Sequence, residues 1–422
     1  GIGNTCPTMS KEFDLLLCGV TGFTGKLAAE HLLVKGYPIK WAVCARNLPK
    51  AESVLAEIGE RVGKASQLPR VEVADLVCAS EEDEEKLRAV IRKTKVVITT
   101  AGPFEKYGQS LVKVCAEEGV HYADITGETD FFRAMIDQHD ATAQRTGAKI
   151  VVHCGNDCIP WDLTVFEMNK YAQSKGAELT EASTFTQVGA SSSMSGGTLT
   201  TAVFQLGKKR AGGKPDFDPL LRTRDGTKSE SLTKVVSPKV DVYVPQHKCN
   251  GGPWIMGPVM ANCVRRSNAL LGYSASLVYS ETFLRGNPSY GEWLGEKAYV
   301  ALVGAAVMMP SVFQRFLPAP GEGPSREAMD ASWLNLHGVG KMVDRSSGEA
   351  TALKTKFHFT GDTGYLNTAK MLVECGMQLL EQAGPGGVTT PAAAFGSGIV
   401  TRLEKELGAT FELTVGSDVV YK

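Results

Sequence analysis

The chain has 422 residues, which at about 100–200 residues per domain suggests two or three domains. Hydrophobic residues make up 43% and charged residues 22%, a balance that excludes a disordered chain. The 45 Lys and Arg nearly cancel the 46 Asp and Glu, and a net charge of -1 provides no global field for nucleic acid or another polyanion.

Residues 1–9 read as a tail, with neither a basic stretch nor an apolar core of the kind a secretory signal needs, and Met9 is a natural start. From there, short apolar runs alternate with longer amphipathic ones. Strands are expected at Asp14–Cys18, Lys40–Ala45, Arg70–Ala74, Val96–Thr100, His121–Asp124 and Lys149–His153. Helices are expected at Lys26–Lys35, Lys50–Gly59, Glu82–Lys93, Ser110–Glu118 and Phe131–Arg145. Near-continuous apolar strands separated by helices predict an α/β fold, a Rossmann-type doubly wound parallel sheet covered on both faces.

After Pro160 the regular alternation is expected to stop. Strands at Glu181–Val188, Ser274–Tyr279 and Ala352–Phe359 and helices at Thr198–Lys208 and Met260–Leu271 suit a second, α+β domain. Residues 215–238 read as a long polar loop and Pro318–Pro324 as a surface loop. Helices at Leu366–Gln382 and Gly398–Leu407 close the chain. The expected boundaries are 10–165 for a dinucleotide-binding domain, 166–360 for a substrate and dimerisation domain, and 361–422 for a C-terminal segment.

The run Gly19-Val20-Thr21-Gly22-Phe23-Thr24-Gly25 follows the first strand and opens the first helix. Gly19 permits the tight turn, Gly22 lets a pyrophosphate reach the backbone, and Gly25 lets helix and strand pack closely. The helix start offers amide donors to phosphate. At the end of the second strand, 21 residues past Gly25, an NAD site would carry an acid, whereas this chain has Arg46, followed by Asn47 and Lys50. An arginine suits a 2′-phosphate, so NADPH is favoured over NADH; the alternative is that Arg46 stacks on adenine without choosing. Asp75 after the third strand is a candidate for adenine recognition or a simple turn residue. Ala101-Gly102-Pro103-Phe104 after the fourth falls on the expected nicotinamide side of the cleft.

These motifs, with Tyr107-Gly108, Tyr122-Ala123-Asp124-Ile125-Thr126-Gly127-Glu128, Gly155–Asp162, Ser195-Gly196-Gly197-Thr198, Gly361–Tyr365 and Gly387–Ala392, resemble the saccharopine dehydrogenase-like oxidoreductases over nearly the whole chain. The Gly-Phe-Thr-Gly run and Ser-Gly-Gly-Thr are most similar to the trans-acting enoyl reductases and a eukaryotic branch of that family. Thr363 stands where relatives often carry Pro. The resemblance implies that the C-terminal helices return to the dinucleotide domain and that the inserted second domain carries substrate and homodimer contacts.

A reductase also needs a proton source. No short-chain-reductase Tyr-xxx-Lys pattern surrounds Tyr107, which is the first candidate donor, with Asp157 the second; each is otherwise structural. His153, at a strand end, reads as a hydrogen-bonded core residue. The small polar run Ser191–Thr198 could hold a carboxylate, thioester oxygen or phosphate, or could be a loop ending in an ordinary helix cap, and Ser195, Gly196, Gly197 and Thr198 are the substrate-binding candidates. The spaced cysteines, Cys154 and Cys158 included, read as core residues of a reducing compartment, and no metal cofactor is expected.

Three readings follow. The first is NADPH-dependent reduction of an activated C=C or C=N bond on a lipid-like or acyl-linked substrate. The second is saccharopine reduction, with Arg222, Arg224, Arg265, Arg266 and Arg285 available to hold carboxylates. The third is a dinucleotide-binding scaffold at a lipid surface, without turnover. Residues 298–316 read as a buried or interface helix, or else as a contact with membrane or lipid droplet made by an otherwise cytoplasmic protein.

Overall fold

Strand β1 (Phe13–Cys18) carries the run Phe-Asp-Leu-Leu-Leu-Cys, buried almost throughout, as a strand covered on both faces must be. The computed structural model describes residues 11–189, 195–207, 217–286, 321–416 and 418–421, with scattered positions between 291 and 319. The tail 1–9, the run 191–194 and most of the stretch 298–316 lie outside the described residues. None of the described helices is long and apolar enough to cross a membrane.

Around β1 stand β2 (Trp41–Ala45), β3 (Arg70–Val73), β4 (Thr94–Thr99), β5 (His121–Asp124) and β6 (Lys149–Val151). A late strand, β14 (Gly387–Thr389), completes a seven-stranded sheet in the order β14-β6-β5-β4-β1-β2-β3. Every pairing is parallel. Strand order reverses beside β1, which pairs with β2 on one side and β4 on the other, so the ligand crevice of this fold lies at the carboxyl ends of β1 and β4.

Among the described residues the second sheet has nine strands. They are β7 (Ala177–Val188), β8 (Leu232–Val235), β9 (Val242–Val244), β10 (Cys249–Gly252), β11 (Ser276–Gly286), β12 (Trp333–Asp344), β13 (Ala350–Thr360), β15 (Thr410–Val415) and β16 (Asp418–Tyr421). The order is β16-β15-β13-β12-β7-β11-β10-β9, with β8 beside β11. One face packs on the helix Ile159–Ser174. Gly338 and Gly340 of β12 permit that packing, because a Cβ on either would fall within 3.0 Å of Met168.

After Pro160, which sits in the first turn of the helix Ile159–Ser174 where its missing N–H costs nothing, the next strand, β7, belongs to the second sheet, as the end of the regular alternation implied. Two expectations change. The loop expected over 215–238 contains β8, a short exposed strand whose side chains carry little periodic signal. The segment 361–422 divides, because β14 joins the first sheet while β15 and β16 extend the second by pairing with β13. The alternation Phe411 and Leu413 inward, Thr410 outward gives β15 one apolar face, and it pairs antiparallel with β13 of the second sheet.

The returning helix Thr368–Glu381 lies on the first sheet through Gly376, where a Cβ would stand 2.7 Å from Ile98 and 2.9 Å from Leu15. Its Glu374 is fully buried and accepts from His31 at 2.8 Å, Tyr37 at 2.5 Å and Arg402 at 2.8 Å. One carboxylate thus joins the first helix, Phe23–Lys35, to the last, Ser397–Leu407. Burial raises the Glu374 pKa, but the hydrogen bonds from His31, Tyr37 and Arg402 outweigh it and hold the carboxyl below its ordinary value.

Removing Glu374 strands buried donors and a guanidinium, so Glu374→Ala should cost about 3–5 kcal/mol, read from urea unfolding. A depressed folded pKa contributes stability that is complete above the unfolded value, about 4.3, and is lost as pH falls through the folded one. The stability gap between the wild type and Glu374→Gln should therefore hold at pH 6–7 and shrink on acidification below about pH 4. A gap independent of pH would refute the ionised clamp.

Candidate active site

The glycine turn is built by close approach. Gly19 adopts φ +91°, in the left-handed region. A Cβ on Gly25 would lie 2.0 Å from the Gly19 carbonyl oxygen and 2.8 Å from Thr100 Oγ1, so no side chain fits there. Thr100 N donates to Cys18 O at 3.1 Å, and its hydroxyl reaches Gly19 O at 3.3 Å, tying the turns after β1 and β4 together.

The helix Phe23–Lys35 begins at Gly22 with no side-chain cap and no acidic residue in its first turn. Its neighbours differ: Asn47 caps Leu48–Arg61 and Ser80 caps Glu81–Ile91. An uncapped helix start keeps its first amides and its positive dipole end for an anion, and glycine walls let that anion approach the backbone. The residues present therefore fit a dinucleotide pyrophosphate over Gly19, Thr21, Gly22, Phe23, Thr24 and Gly25.

Arg46 is exposed just past β2, beside that turn, and its guanidinium has no hydrogen-bond partner among the described residues. Asn47 is engaged as a cap, its Oδ1 accepting from Lys50 N at 3.0 Å. Asp75 makes a turn of its own, accepting from Val77 N at 3.0 Å. Of the set Arg46, Asn47, Lys50 and Asp75, Asn47 and Asp75 are thus held by their own turns, while Arg46 is exposed.

The Ala101-Gly102-Pro103-Phe104 turn is held by Glu128, which sequence reasoning did not single out as a site residue. Its two carboxylate oxygens accept from Phe104 N at 2.7 Å and Glu105 N at 3.0 Å, and Gln205 reaches it at 3.1 Å. Glu128 is buried, and burial lifts its pKa against those hydrogen bonds. Gln205 belongs to the helix Gly196–Gly207, which therefore lies across the turn, with Thr201 Oγ1 3.5 Å from the position a Cβ on Gly102 would take.

The start of that helix meets the glycine turn through Tyr365. The Tyr365 hydroxyl accepts from Ser195 N at 2.7 Å and lies 3.0 Å from Thr198 Oγ1, while its ring stands edge-on to Phe23 at 5.4 Å. Asp362 fixes Tyr365 by accepting from its N at 2.6 Å. Ser195 Oγ also accepts from Thr198 N at 3.3 Å, which is ordinary cap geometry. Above the turn, Glu322 O accepts from Gly196 N at 3.1 Å, and a Cβ on Gly323 would strike the Phe23 ring at 2.7 Å. Tyr365 had one sequence signal, its place in the Gly361–Tyr365 motif.

Tyr107 ends the short helix Phe104–Tyr107, half-buried, with Lys106 over its ring at 5.2 Å. Asp157 follows β6, and withdrawal from water pushes its carboxyl up to about 6, with Asn156 and His153 pulling down and Asp362 pushing up. His153 is buried, as a core residue, with Nδ1 2.5 Å from Thr126 O. Its Nε2 has no hydrogen-bond partner among the described residues, and its φ is +65°. The arginines proposed for carboxylates are engaged within the protein. Arg222 pairs with Asp137 at 2.8 Å, Arg265 with Asp218 at 3.2 Å and Arg285 with Asp241 at 3.0 Å. Arg266 is fully buried and donates to Val388 O at 3.1 Å, and Arg224 reaches Gly386 O at 3.4 Å.

Residues 15–151 match the family described as the saccharopine dehydrogenase NADP binding domain. A Mycobacterium tuberculosis protein, named provisionally as a trans-acting enoyl reductase, is 32% identical over 93% of this chain and 96% of its own. The trans-acting enoyl reductase of Mycobacterium leprae is 30% identical over the same shares. In fold, the chain is similar to the apo saccharopine dehydrogenase (L-Glu forming) of Saccharomyces cerevisiae, with a TM-score of 0.55 over 96% of this chain and 100% of that one at 12% identity. A dinucleotide cradle at the switch point of a parallel sheet and relatives alike over almost their whole length agree: the chain belongs to the saccharopine dehydrogenase-like family and is an NAD(P)-dependent oxidoreductase.

Proposed function

We propose that this chain uses NADPH to reduce an activated C=C bond of an acyl-linked, lipid-like substrate. The observation that carries the reading is the meeting of Phe23, Tyr365 and the Ser195–Thr198 helix start beside the glycine turn. The named activity of the two mycobacterial relatives supports the choice of bond. Among the arginines considered, each has a partner within the protein, which argues against a site built for several carboxylates and hence against saccharopine as substrate.

Bound NADPH supplies the hydride. Arg46 would hold its 2′-phosphate, and the first amides of the helix Phe23–Lys35 would hold its pyrophosphate. Ala101, Gly102, Pro103 and Phe104, fixed by Glu128, form the floor on the nicotinamide side. As the substrate β-carbon takes hydride, negative charge develops on the carbonyl oxygen, where the Gly197 amide and the Thr198 hydroxyl are the donors to stabilise it, the Gly196 and Thr198 amides being held by Glu322 O and Ser195 Oγ. The α-carbon then needs a proton. Tyr365 is the donor the geometry supports best, because its hydroxyl already accepts from Ser195 N and can turn its own proton outward. Tyr107 and Asp157 are the competing donors.

Two outcomes test this. Loss of a charge-assisted contact worth about 1.5–3 kcal/mol means that Arg46→Asp should weaken NADPH binding roughly ten- to a hundredfold and leave NADH binding nearly unchanged, as read by nicotinamide fluorescence. An unaltered NADPH/NADH ratio would remove Arg46 from the site. With an enoyl thioester substrate, Tyr365→Phe should lower kcat by about 10²–10⁴ while the Kd for NADPH stays within roughly twofold. Full turnover in Tyr365→Phe, with the loss appearing instead in Tyr107→Phe or in Asp157→Asn, would transfer the role. If Asp157 is the acid, activity should fall as pH rises through about 6, and Asp157→Asn should abolish that limb. Turnover of imines but not enoyl thioesters would overturn the choice of bond.

A further inference from the structure

A pocket of about 680 Å³ lies in the second domain, between the segment 233–239, the turn 253–258, the helix Gly257–Leu271 and β11. Val235, Pro238, Trp254 and Pro258 give it apolar walls, and Glu281 of β11 is part of its lining. It shares no residue with the dinucleotide cradle or the Tyr365 cluster.

Two polar groups at this pocket are left without partners. Glu281 is only 5% exposed, and its Oε2 has no hydrogen-bond partner among the described residues. The indole N–H of Trp254 is buried and equally unpartnered. Buried polar groups are normally satisfied, and one that is not destabilises the fold unless a ligand supplies the partner. Part of Glu281 is taken up in holding the fold. Its Oε1 lies 2.5 Å from where a Cβ on Gly257 would stand, at the start of the helix Gly257–Leu271, and its N donates to Ser237 Oγ at 3.1 Å. Those contacts do not occupy Oε2.

No described cation pairs with Glu281. Arg265, in the pocket wall, is held by Asp218 at 3.2 Å and Asn262 at 2.9 Å. Arg285, on the same strand, pairs with Asp241, and Lys239, which also lines the pocket, is exposed and makes no ion pair with Glu281 among the described residues. Burial without a counter-ion lifts the Glu281 carboxyl to about 7, with Ser237 pulling the other way. A ligand cation would repay that desolvation by restoring the ionised form. Trp254, stacked on Phe283 at 4.4 Å, is fixed in place as an aromatic wall. A carboxylate and a tryptophan in one partly apolar pocket are complementary to an ammonium group on an apolar body.

We propose that this pocket binds an organic amine, the Glu281 carboxylate pairing with the ammonium and Trp254 packing against the apolar part. The site is independent of the assigned reductase chemistry, and its test does not use turnover. The full chain is titrated with benzylamine and, as the neutral counterpart of similar shape, benzyl alcohol, followed by calorimetry at pH 7.5. Benzylamine should bind at least about tenfold more tightly, the equivalent of about 1.4 kcal/mol. Glu281→Gln, which keeps the shape, should erase that preference and leave benzyl alcohol binding unchanged. Trp254→Leu should weaken benzylamine severalfold with Glu281 in place, so the proposal stays testable even if Glu281→Gln misfolds. Equal affinity for amine and alcohol, no saturable amine binding, or a preference that survives in Glu281→Gln would overturn it. A purely structural Glu281 would show as a lowered Tm in Glu281→Gln with the amine preference intact, which also overturns it.

Discussion

The contact on which this site depends is the approach of Gly25 to the Gly19 carbonyl, closer than any side chain would allow. It presses the start of the helix Phe23–Lys35 against the end of β1 and the Thr100 hydroxyl after β4. Because the helix begins there on a glycine, its first amides face the crevice uncapped. The same placement sets the Phe23 ring where Tyr365 can meet it edge-on and where only glycine fits at position 323. From Tyr365 the chain of contacts runs through Ser195 and Thr198 to the helix Gly196–Gly207, and from Gln205 back to Glu128 and the turn after β4. The cradle and the wall facing it are thus set by one loop of contacts that begins at a missing Cβ.

Buried carboxylates serve three different ends in this molecule, separable by what surrounds them. Glu374 meets two ring or phenol donors and a guanidinium, so ionisation is favoured despite burial and the group acts as a clamp between helices. Glu128 meets backbone amides, which orient a turn but do not fully offset desolvation. Asp157 and Glu281 lack a cation that outweighs burial, and their carboxyls rise to about 6 and about 7. Asp124 and Asp162 also rise to about 6 while accepting from Thr126 N and Ala392 N, so a raised carboxyl marks a site only together with an open neighbourhood.

The first domain was legible because each of its elements obeys a local rule. Apolar runs such as Leu15–Cys18 need burial on both faces, and the three glycines stand at the spacing the turn demands. The second domain was less legible because its strands depend on partners far away in sequence. In β12 the inward positions include Gly338 and Gly340, which contribute no apolar signal, yet they are what Met168 requires in order to pack. β15 and β16 follow the helix Ser397–Leu407, which packs on the helix Thr368–Glu381, and still join the second sheet through β13, a partner far back in the chain.

The candidate site divides along the same line. Gly19 to Gly25 and Arg46 could be read from spacing, because a phosphate is recognised by backbone and charge close together in the chain. Tyr365 and Glu128 could not, because their significance comes from Phe23, Ser195 and Phe104, residues up to 342 positions away. A phenol in a turn and an acid before a helix are ordinary sequence features. They meet their partners only when the second domain folds against the first, so the parts of the site proposed to face the substrate are the parts a linear reading is least able to see.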